Sequence, residues 1–405
     1  MNANDMGEII AKLRKKAGLT QQTLAEKLDV TDKAISKWEN GQCYPDITVL
    51  PKIANLFGVT VDYLMFGNRK KIVVAGNIIT DIIKNIDIYP EAGMLAKVSD
   101  ISYTVGGCVP NTAISLSKID ASIPISVMGR VGTDENGRYI ISQMQKYGIN
   151  VNDIKYSEGV ATSFCDVMSM STGERTFFHK KGANAEFCPD DVDIEALDSE
   201  IFHIGYILLL DEFDKEDAKY GTVMAGFLKK LQDKGIKTSI DVVSDSDAKT
   251  YGAKIIPVLK YCNYVIMNEI ECCNVWNLSA YTESGELNRE NIKKAMKLMA
   301  EEGVSEKIII HSKKVSFALD KKSGEFTEVP SLKIPKEKIK GSVGAGDAFC
   351  AGSLYGLYNG FSDKEILEFA SAAAACNLFA ENSIDGMKSK SEIYKIADEY
   401  GRLSI

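Results

Sequence analysis

The sequence predicts two fold classes in one chain, an all-α head over residues 1–67 and an α/β body over residues 72–405. Three observations carry this. The first 67 residues hold short segments with apolar residues at helical spacing. From KIVVAG onward, apolar strand runs alternate with amphipathic helical stretches, the pattern of a parallel sheet covered on both faces. Charge divides at the same place: residues 1–71 hold 11 Lys+Arg against 8 Asp+Glu, a net +3, and the remainder is −11, which gives the chain its −8. A mildly basic head on an acidic body fits a small polyanion-binding module joined to something that is not one.

The bulk composition bounds the rest. A chain of 405 residues is too long for one ordinary domain. Its 45 % hydrophobic and 26 % charged content is that of a globular protein. No apolar run approaches the roughly 20 residues of a membrane span. Asp5, Glu8, Lys12 and Arg14 break any secretory leader, so a cytoplasmic protein with no membrane partner is expected. Nine scattered cysteines contain no CxxC pair, and Cys272 and Cys273 are adjacent; this predicts reduced thiols. Three histidines far apart in sequence give no zinc signature.

In the head, Ile9, Ile10, Leu13 and Ala17 define a first helix that Gly18 ends. Thr20 caps a second, with Leu24, Ala25 and Leu28 inward, and Thr31 caps a third, TDKAISKWE, with Ala34, Ile35 and Trp38 inward. ITVLPKIANLFG and TVDYLM supply two more. Five short helices with a tight turn at Leu28–Thr31 describe a helix-turn-helix unit. A polar joint, 68–71, follows.

In the body, KIVVAG, IPISVMG, SEIFHIGYILLL, IKTSIDVV, NYVIMN and KIIIHS read as strands. NGRYIISQMQKYG, DKEDAKYGTVMAGFLKKLQDKG, AKIIPVLKYC and NRENIKKAMKLMAEEG read as helices between them. Two segments break the rhythm: DISYTVGG, and a hairpin over 162–184 turning at Ser171–Glu174. They predict a β flap. Ligands bind such sheets at the carboxyl ends of strands, which points to Asn77 and Asp81, to Asp211 and Glu212, and to Asn268, Glu269 and Glu271. Residues 341–349, GSVGAGDAF, place Asp347 among residues with almost no side chain at the start of a helix. Bare N–H groups there favour an anion, and the helix dipole predicts an ionised Asp347. A carboxylate beside an anion hole suits proton abstraction from a hydroxyl during phosphoryl transfer; a helix-capping Asp in a Gly-rich loop is the plainer reading.

Two resemblances sharpen these expectations. Arg14, Leu19-Thr20-Gln21, Leu24-Ala25, Ile35-Ser36, Trp38-Glu39, Gly41 and Pro45 resemble the XRE-type (Cro and phage repressor) helix-turn-helix family. The resemblance implies that the third helix enters the major groove of double-stranded operator DNA, with Asp32, Lys33, Ser36 and Lys37 outward and Gln21, Gln22 and Asn40 reaching phosphates or base edges. It also implies a homodimer. The body resembles the ribokinase-like (PfkB-type) carbohydrate kinases over its whole length, on GNIITD, GGCVPNTA, GRVGTDENG, NEIE and GSVGAGDAF in order. This implies a three-layer αβα sandwich with a small β lid, drawn from about 87–105 and 160–182. It implies ATP and Mg²⁺ as cofactors and a small-molecule sugar as substrate, in a kinase that regulates transcription through its head; a transcription regulator whose kinase-like body only senses sugar or nucleotide, and a nucleoside kinase, are the alternatives.

Site roles come with that resemblance. Asp347 would be the general base, with the amides of Gly344, Ala345, Gly346 and Asp347 forming the anion hole. Asn268 and Glu271 would organise Mg²⁺, and Asp81, Gly106, Gly107, Asn111 and Asn77 would hold the sugar. Two departures stand out. Gly341 replaces the usual Asp of a loop that often binds a monovalent cation, which leaves K⁺ activation open. His311, Lys313 and Ser316 stand where Thr, Gly and Gly are common, placing His311 on the nucleotide side.

Overall fold

In the head, five helices are present among the described residues: α1 (Ala3–Lys16), α2 (Gln21–Leu28), α3 (Asp32–Glu39), α4 (Leu50–Phe57) and α5 (Val61–Phe66). The computed structural model describes residues 3–67, 69–170, 174–243 and 248–404. The chain divides into two compact units, the residues up to 70 with 121–124, and 71–120 with 125–405. Thr20, Thr31 and Thr60 each cap a helix, their hydroxyls accepting from the amide three residues on. Asp29 adopts φ 56 after α2, which makes the tight turn. Ile10, Leu24, Ile35, Ile53 and Leu64 form a dry centre.

Two contacts fix α1 against α3. Gly7 allows the close approach, since a Cβ there would lie 2.0 Å from the Trp38 carbonyl oxygen. Arg14 then grips Glu39 with a fork, Nε to Oε1 at 2.6 Å and Nη2 to Oε2 at 2.9 Å, while Nη1 donates to Leu19 O at 2.7 Å. Burial opposes the charge on Glu39, but Arg14 and Gln21 outweigh it and hold the carboxyl below its ordinary range.

The body holds a nine-stranded sheet among the described residues. Its strand order is Phe326–Pro330, Val315–Asp320, Lys307–His311, Tyr264–Asn268, Lys237–Val242, Ser199–Ile207, Lys71–Gly76, Ile125–Gly132, Ile154–Ser157. Seven strands from Lys307–His311 onward run parallel, and the first two named form an antiparallel edge. Strand Lys71–Gly76 is dry on both faces: Val73 and Ala75 join the core that includes residues of helices Val223–Asp233, Ala248–Leu259 and Arg289–Glu302, and Ile72 and Val74 are equally buried. Helices Cys108–Ile119 and Ala345–Tyr358 pack on each other and on the sheet.

Three expectations are corrected here. The segment 214–222 is not helical; the helix begins at Val223, capped by Thr222, after Gly221 turns with φ 84. The strand expected through Leu210 ends at Ile207, because Tyr206 and Leu208 take φ 59 and 88. The lid begins earlier than expected. The chain leaves the central sheet at Gly76 and re-enters extended structure at Ile79, so strand Ile79–Ile86 lies at the centre of a separate four-stranded sheet with Val98–Gly106, Phe164–Met170 and Arg175–Lys180. Phe164–Met170 and Arg175–Lys180 pair antiparallel; the turn residues Ser171, Thr172 and Gly173 lie outside the described residues. No helix among the described residues is long and apolar enough to cross a membrane.

Gly7→Ala forces a methyl group onto the α3 backbone and should cost the head about 1–3 kcal/mol by overpacking. Calorimetry of the full chain should then show an earlier first transition with the body transition unmoved; coincident loss of both would contradict this account of the head.

Candidate active site

The GSVGAGDAF segment turns a loop into a helix. Gly344 takes φ 75 just ahead of helix Ala345–Tyr358, and a Cβ there would fall 2.5 Å from that of Ser383. Conformation and space both demand glycine. Among the described residues, the amides of Gly344, Gly346 and Asp347 have no protein acceptor, whereas that of Ala345 reaches Ser342 O at 3.3 Å. The expected four-amide hole therefore has three open donors, and Ala345 is already engaged.

Asp347 is the third helical residue and is only 6 % exposed. Asn111 Nδ2 donates to its Oδ2 at 2.9 Å, and the Tyr206 hydroxyl lies 3.2 Å from both oxygens. Each holder is itself held. Asn111 Oδ1 accepts from Ser383 Oγ at 2.8 Å, and Tyr206 N donates to Asp241 Oδ1 at 2.6 Å. Burial, reinforced by the Asp241 charge and more weakly by Asp81, pushes the Asp347 carboxyl up to about 7 against these hydrogen bonds. This corrects the expectation drawn from the helix dipole. A dipole is worth about 0.3–1 kcal/mol, whereas lifting a carboxyl from its ordinary 3.8 to about 7 corresponds to about 4 kcal/mol, so desolvation wins.

Asp347, Gly344 and Gly346 open onto a cleft shared with Tyr206 and Asp241. Asn268, Glu271 and His311 line the same cleft, at the carboxyl ends of two adjacent strands. Asn268 and Glu271 form a reciprocal cap: Asn268 Oδ1 accepts from Glu271 N at 2.8 Å and Glu271 Oε2 from Asn268 N at 2.9 Å. Amide and carboxylate oxygens of this kind are the donors a hard divalent cation takes. His311 stacks on Phe349, ring centroids 4.8 Å apart, and burial lowers its pKa to about 4. The ring is thus neutral near pH 7 and brings no positive charge to the cleft.

A second, smaller cavity lies under the lid, lined by Asp81, Thr104, Arg175, Phe177, Glu381 and Ser383 among others. Burial raises Asp81 to about 6, and Arg175 pulls the other way. Gly106 seats this carboxylate: a Cβ there would meet Asp81 Oδ2 at 2.3 Å. Gly107, φ 84, heads the helix that carries Asn111, with no room for a side chain against Asn77 O. Ser383, touching Asn111 and lining this cavity, links the two regions.

Other expectations shift. Asn77 is fully buried, with Oδ1 accepting from Asn184 at 2.9 Å and Nδ2 reaching Tyr206 O at 3.4 Å. It ties strand ends together instead of facing a sugar. Asp211 pairs with Lys181 and Glu212 with Lys215 on the surface, because the strand ends well short of where its apolar run suggested. Tyr206 and Asp241 occupy the strand-end positions instead, and Arg175 and Ser383 complete the list of residues that sequence reasoning missed. The strand-end rule applied to SEIFHIGY and IKTSIDVV with correct termini would have found the first two. Gly341 packs against Ala380 O and Glu381 O, 2.9 and 3.1 Å from where a Cβ would sit, so a longer side chain there would crowd the backbone.

In the head, Asp32, Lys33, Lys37 and Asn40 lie with Ser36 on the side of α3 opposite the buried Ile35 and Trp38, each at least partly exposed. Asn40 Nδ2 lies 3.3 Å from Ser36 Oγ, and exposed Gln22 lies 3.3 Å from Glu26. Gln21 is corrected: its Nε2 donates to Glu39 Oε2 at 2.8 Å, so it braces the Arg14–Glu39 pair.

The raised pKa of Asp347 sets a sign for stability. A folded value of about 7 above an ordinary 3.8 means the native state holds the proton more tightly. The contribution is fully present below pH 4 and is lost as pH rises through 7. Asp347→Asn should accordingly melt higher than wild type at pH 8, by up to about 4 kcal/mol of stability, with the gap closing toward pH 4. Thermal melts of both proteins across that range check it, and a lower melting point for the variant at pH 8 would contradict the burial account.

The family profile "pfkB family carbohydrate kinase" matches residues 69–390, and a profile described as "Helix-turn-helix" matches residues 10–64. A ribokinase of Schizosaccharomyces pombe is 24 % identical over 330 residues, 80 % of this chain and 96 % of that one. A 5-dehydro-2-deoxygluconokinase of Clostridium beijerinckii is 25 % identical over 328 residues, 78 % and 89 % of the two chains. The solved Arabidopsis thaliana ribokinase complexed with ribose and ATP superposes with TM-score 0.68 at 21 % identity, covering 81 % of this chain and 99 % of that one, and so shares the fold. With its body matched nearly end to end and a helix-turn-helix unit ahead of it, the chain belongs to the pfkB family of carbohydrate kinases.

Proposed function

We propose that the body phosphorylates a hydroxyl of a neutral monosaccharide from ATP, with Asp347 as general base. The observation that carries this reading is a nearly dry carboxylate, aimed at by Asn111 and Tyr206, beside three unengaged helix-N-terminal amides. A base whose pKa is lifted toward 7 accepts a proton well near neutral pH. As the sugar oxygen forms its bond to the γ-phosphorus, its proton passes to Asp347 and ADP leaves. The amides of Gly344, Gly346 and Asp347 donate to the oxygens of the transferring group. Asn268 and Glu271 would hold Mg²⁺, which when bound neutralises phosphate charge.

Asp81, seated by Gly106, would accept hydrogen bonds from sugar hydroxyls, and Asn111 would act by orienting the base. Two carboxylates, Asp81 and Glu381, beside one Arg175 favour a neutral ligand over an anionic one. Closure of the lid sheet over this cavity would exclude water, the competing phosphoryl acceptor. A body that merely senses ligand has no need of a dry carboxylate at a helix N-terminus, which favours the catalytic reading.

The head would bind double-stranded DNA as a homodimer, α3 in the major groove, with half-sites about one helical turn apart. Coupled to the body, it would control transcription in response to the sugar. Gel-shift or anisotropy measurements should show operator affinity changing when sugar and ATP are added; identical affinity would remove the regulatory part.

ATP turnover across neutral sugars, sugar acids and nucleosides is the test of the kinase. A neutral sugar should give the highest kcat/KM, and Asp347→Asn should lower kcat by about 10²–10⁴. Equal turnover by the variant would overturn the assigned base, and preference for a sugar acid or nucleoside would overturn the assigned substrate class.

A further inference from the structure

One histidine, one aspartate and one cysteine, far apart in the sequence, converge once the body is folded. Strands Ser199–Ile207 and Lys237–Val242 are neighbours, with His203 paired in register to Ser239. Asp241 follows two residues on, and Cys350 lies about one helical turn beyond Asp347. His203 Nε2 is 3.5 Å from Cys350 Sγ and 3.6 Å from Asp241 Oδ2. The three donor atoms all lie within 4.8 Å of one another. All three residues are buried: His203 fully, with Cys350 and Asp241 nearly so.

We infer that these three side chains form a binding site for one thiophilic divalent cation of the zinc class. The separations argue for it. Zinc bonds of about 2.0–2.1 Å to nitrogen, 2.3 Å to sulfur and 2.0–2.2 Å to oxygen place tetrahedral ligand atoms about 3.3–3.6 Å apart. The His–Cys and His–Asp distances already match. The surrounding contacts orient the same atoms. Ser239 Oγ lies 3.0 Å from His203 Nδ1, so the tautomer protonated at Nδ1 donates to Ser239 and aims the Nε2 lone pair at the site. Tyr206 N engages Asp241 Oδ1 and leaves Oδ2 on the side of the histidine. Asp241 and Cys350 also line the cleft, which gives a fourth position to water.

The donor set distinguishes this site from that of Mg²⁺. One imidazole, one thiolate and one carboxylate suit zinc or cobalt, whereas the oxygens of Asn268 and Glu271 suit magnesium. Binding displaces the Cys350 thiol proton to solvent, with no change in oxidation state. Because Asp241 also anchors Tyr206, an ion here sits on the support of the Asp347 carboxylate.

The test uses the full-length protein, stripped by chelator and titrated with Co²⁺. One equivalent should produce visible d–d bands of a tetrahedral site with a thiolate-to-cobalt charge-transfer band. Zn²⁺ should bleach both, and millimolar Mg²⁺ should bleach neither. Cys350→Ser and the smaller Cys350→Ala should each lose the charge-transfer band, Asp241→Asn should weaken Co²⁺ binding at least tenfold, and Cys43→Ser, which alters the exposed thiol, should keep the full signal. Absence of a charge-transfer band in wild type, or its persistence in either Cys350 variant, would overturn the site.

Discussion

The body is organised around one costly object, a carboxylate kept nearly dry at a helix N-terminus. Asp347 is held by an amide and a phenol, both neutral. Such a group survives burial because its neighbours are fixed from elsewhere. Asn111 is braced by Ser383, and Tyr206 is held by Asp241 in a left-handed conformation that non-glycine residues adopt with strain. Gly107 and Gly344 are required because the helices carrying Asn111 and Asp347 start in crowded, positive-φ positions. Strand, helix and loop geometry thus converge on two oxygen atoms.

Much of this was legible in the sequence because the backbone requirements are local. The Gly-rich segment before a helix, the threonine caps of the head and the alternation of strands and helices all follow from rules that operate within a few residues. The errors came where a distant contact overrode a local rule. The dipole argument for an ionised Asp347 was sound for an exposed helix end and failed under burial. SEIFHIGYILLL read as one long strand because apolar continuity says nothing of φ; the turn at Tyr206 and Leu208 moved Asp211 and Glu212 to the surface. Asn77 fell at a strand end, as expected of a ligand-binding residue, yet Asn184, 107 positions later, claims its amide.

The same distinction separates the two kinds of metal-capable residue. Asn268 and Glu271 lie three apart and cap one helix, so their proximity is written in NEIE. His203, Asp241 and Cys350 come from two strands and a helix, and their meeting depends on sheet register and helix docking. In the head, Glu39 has no local signal of its role either; Arg14 and Gln21 reach it from α1 and α2 and lock three helices through one carboxylate.

Desolvation by the fold lifts the Asp347 carboxyl into the neutral range. The most direct measurement is a ¹³C NMR titration of the full chain with labelled aspartate carboxyls, with Asp347→Asn used to assign the signal. The Asp347 resonance should titrate near pH 7. Titration near pH 4, the range of an exposed aspartate, would contradict it.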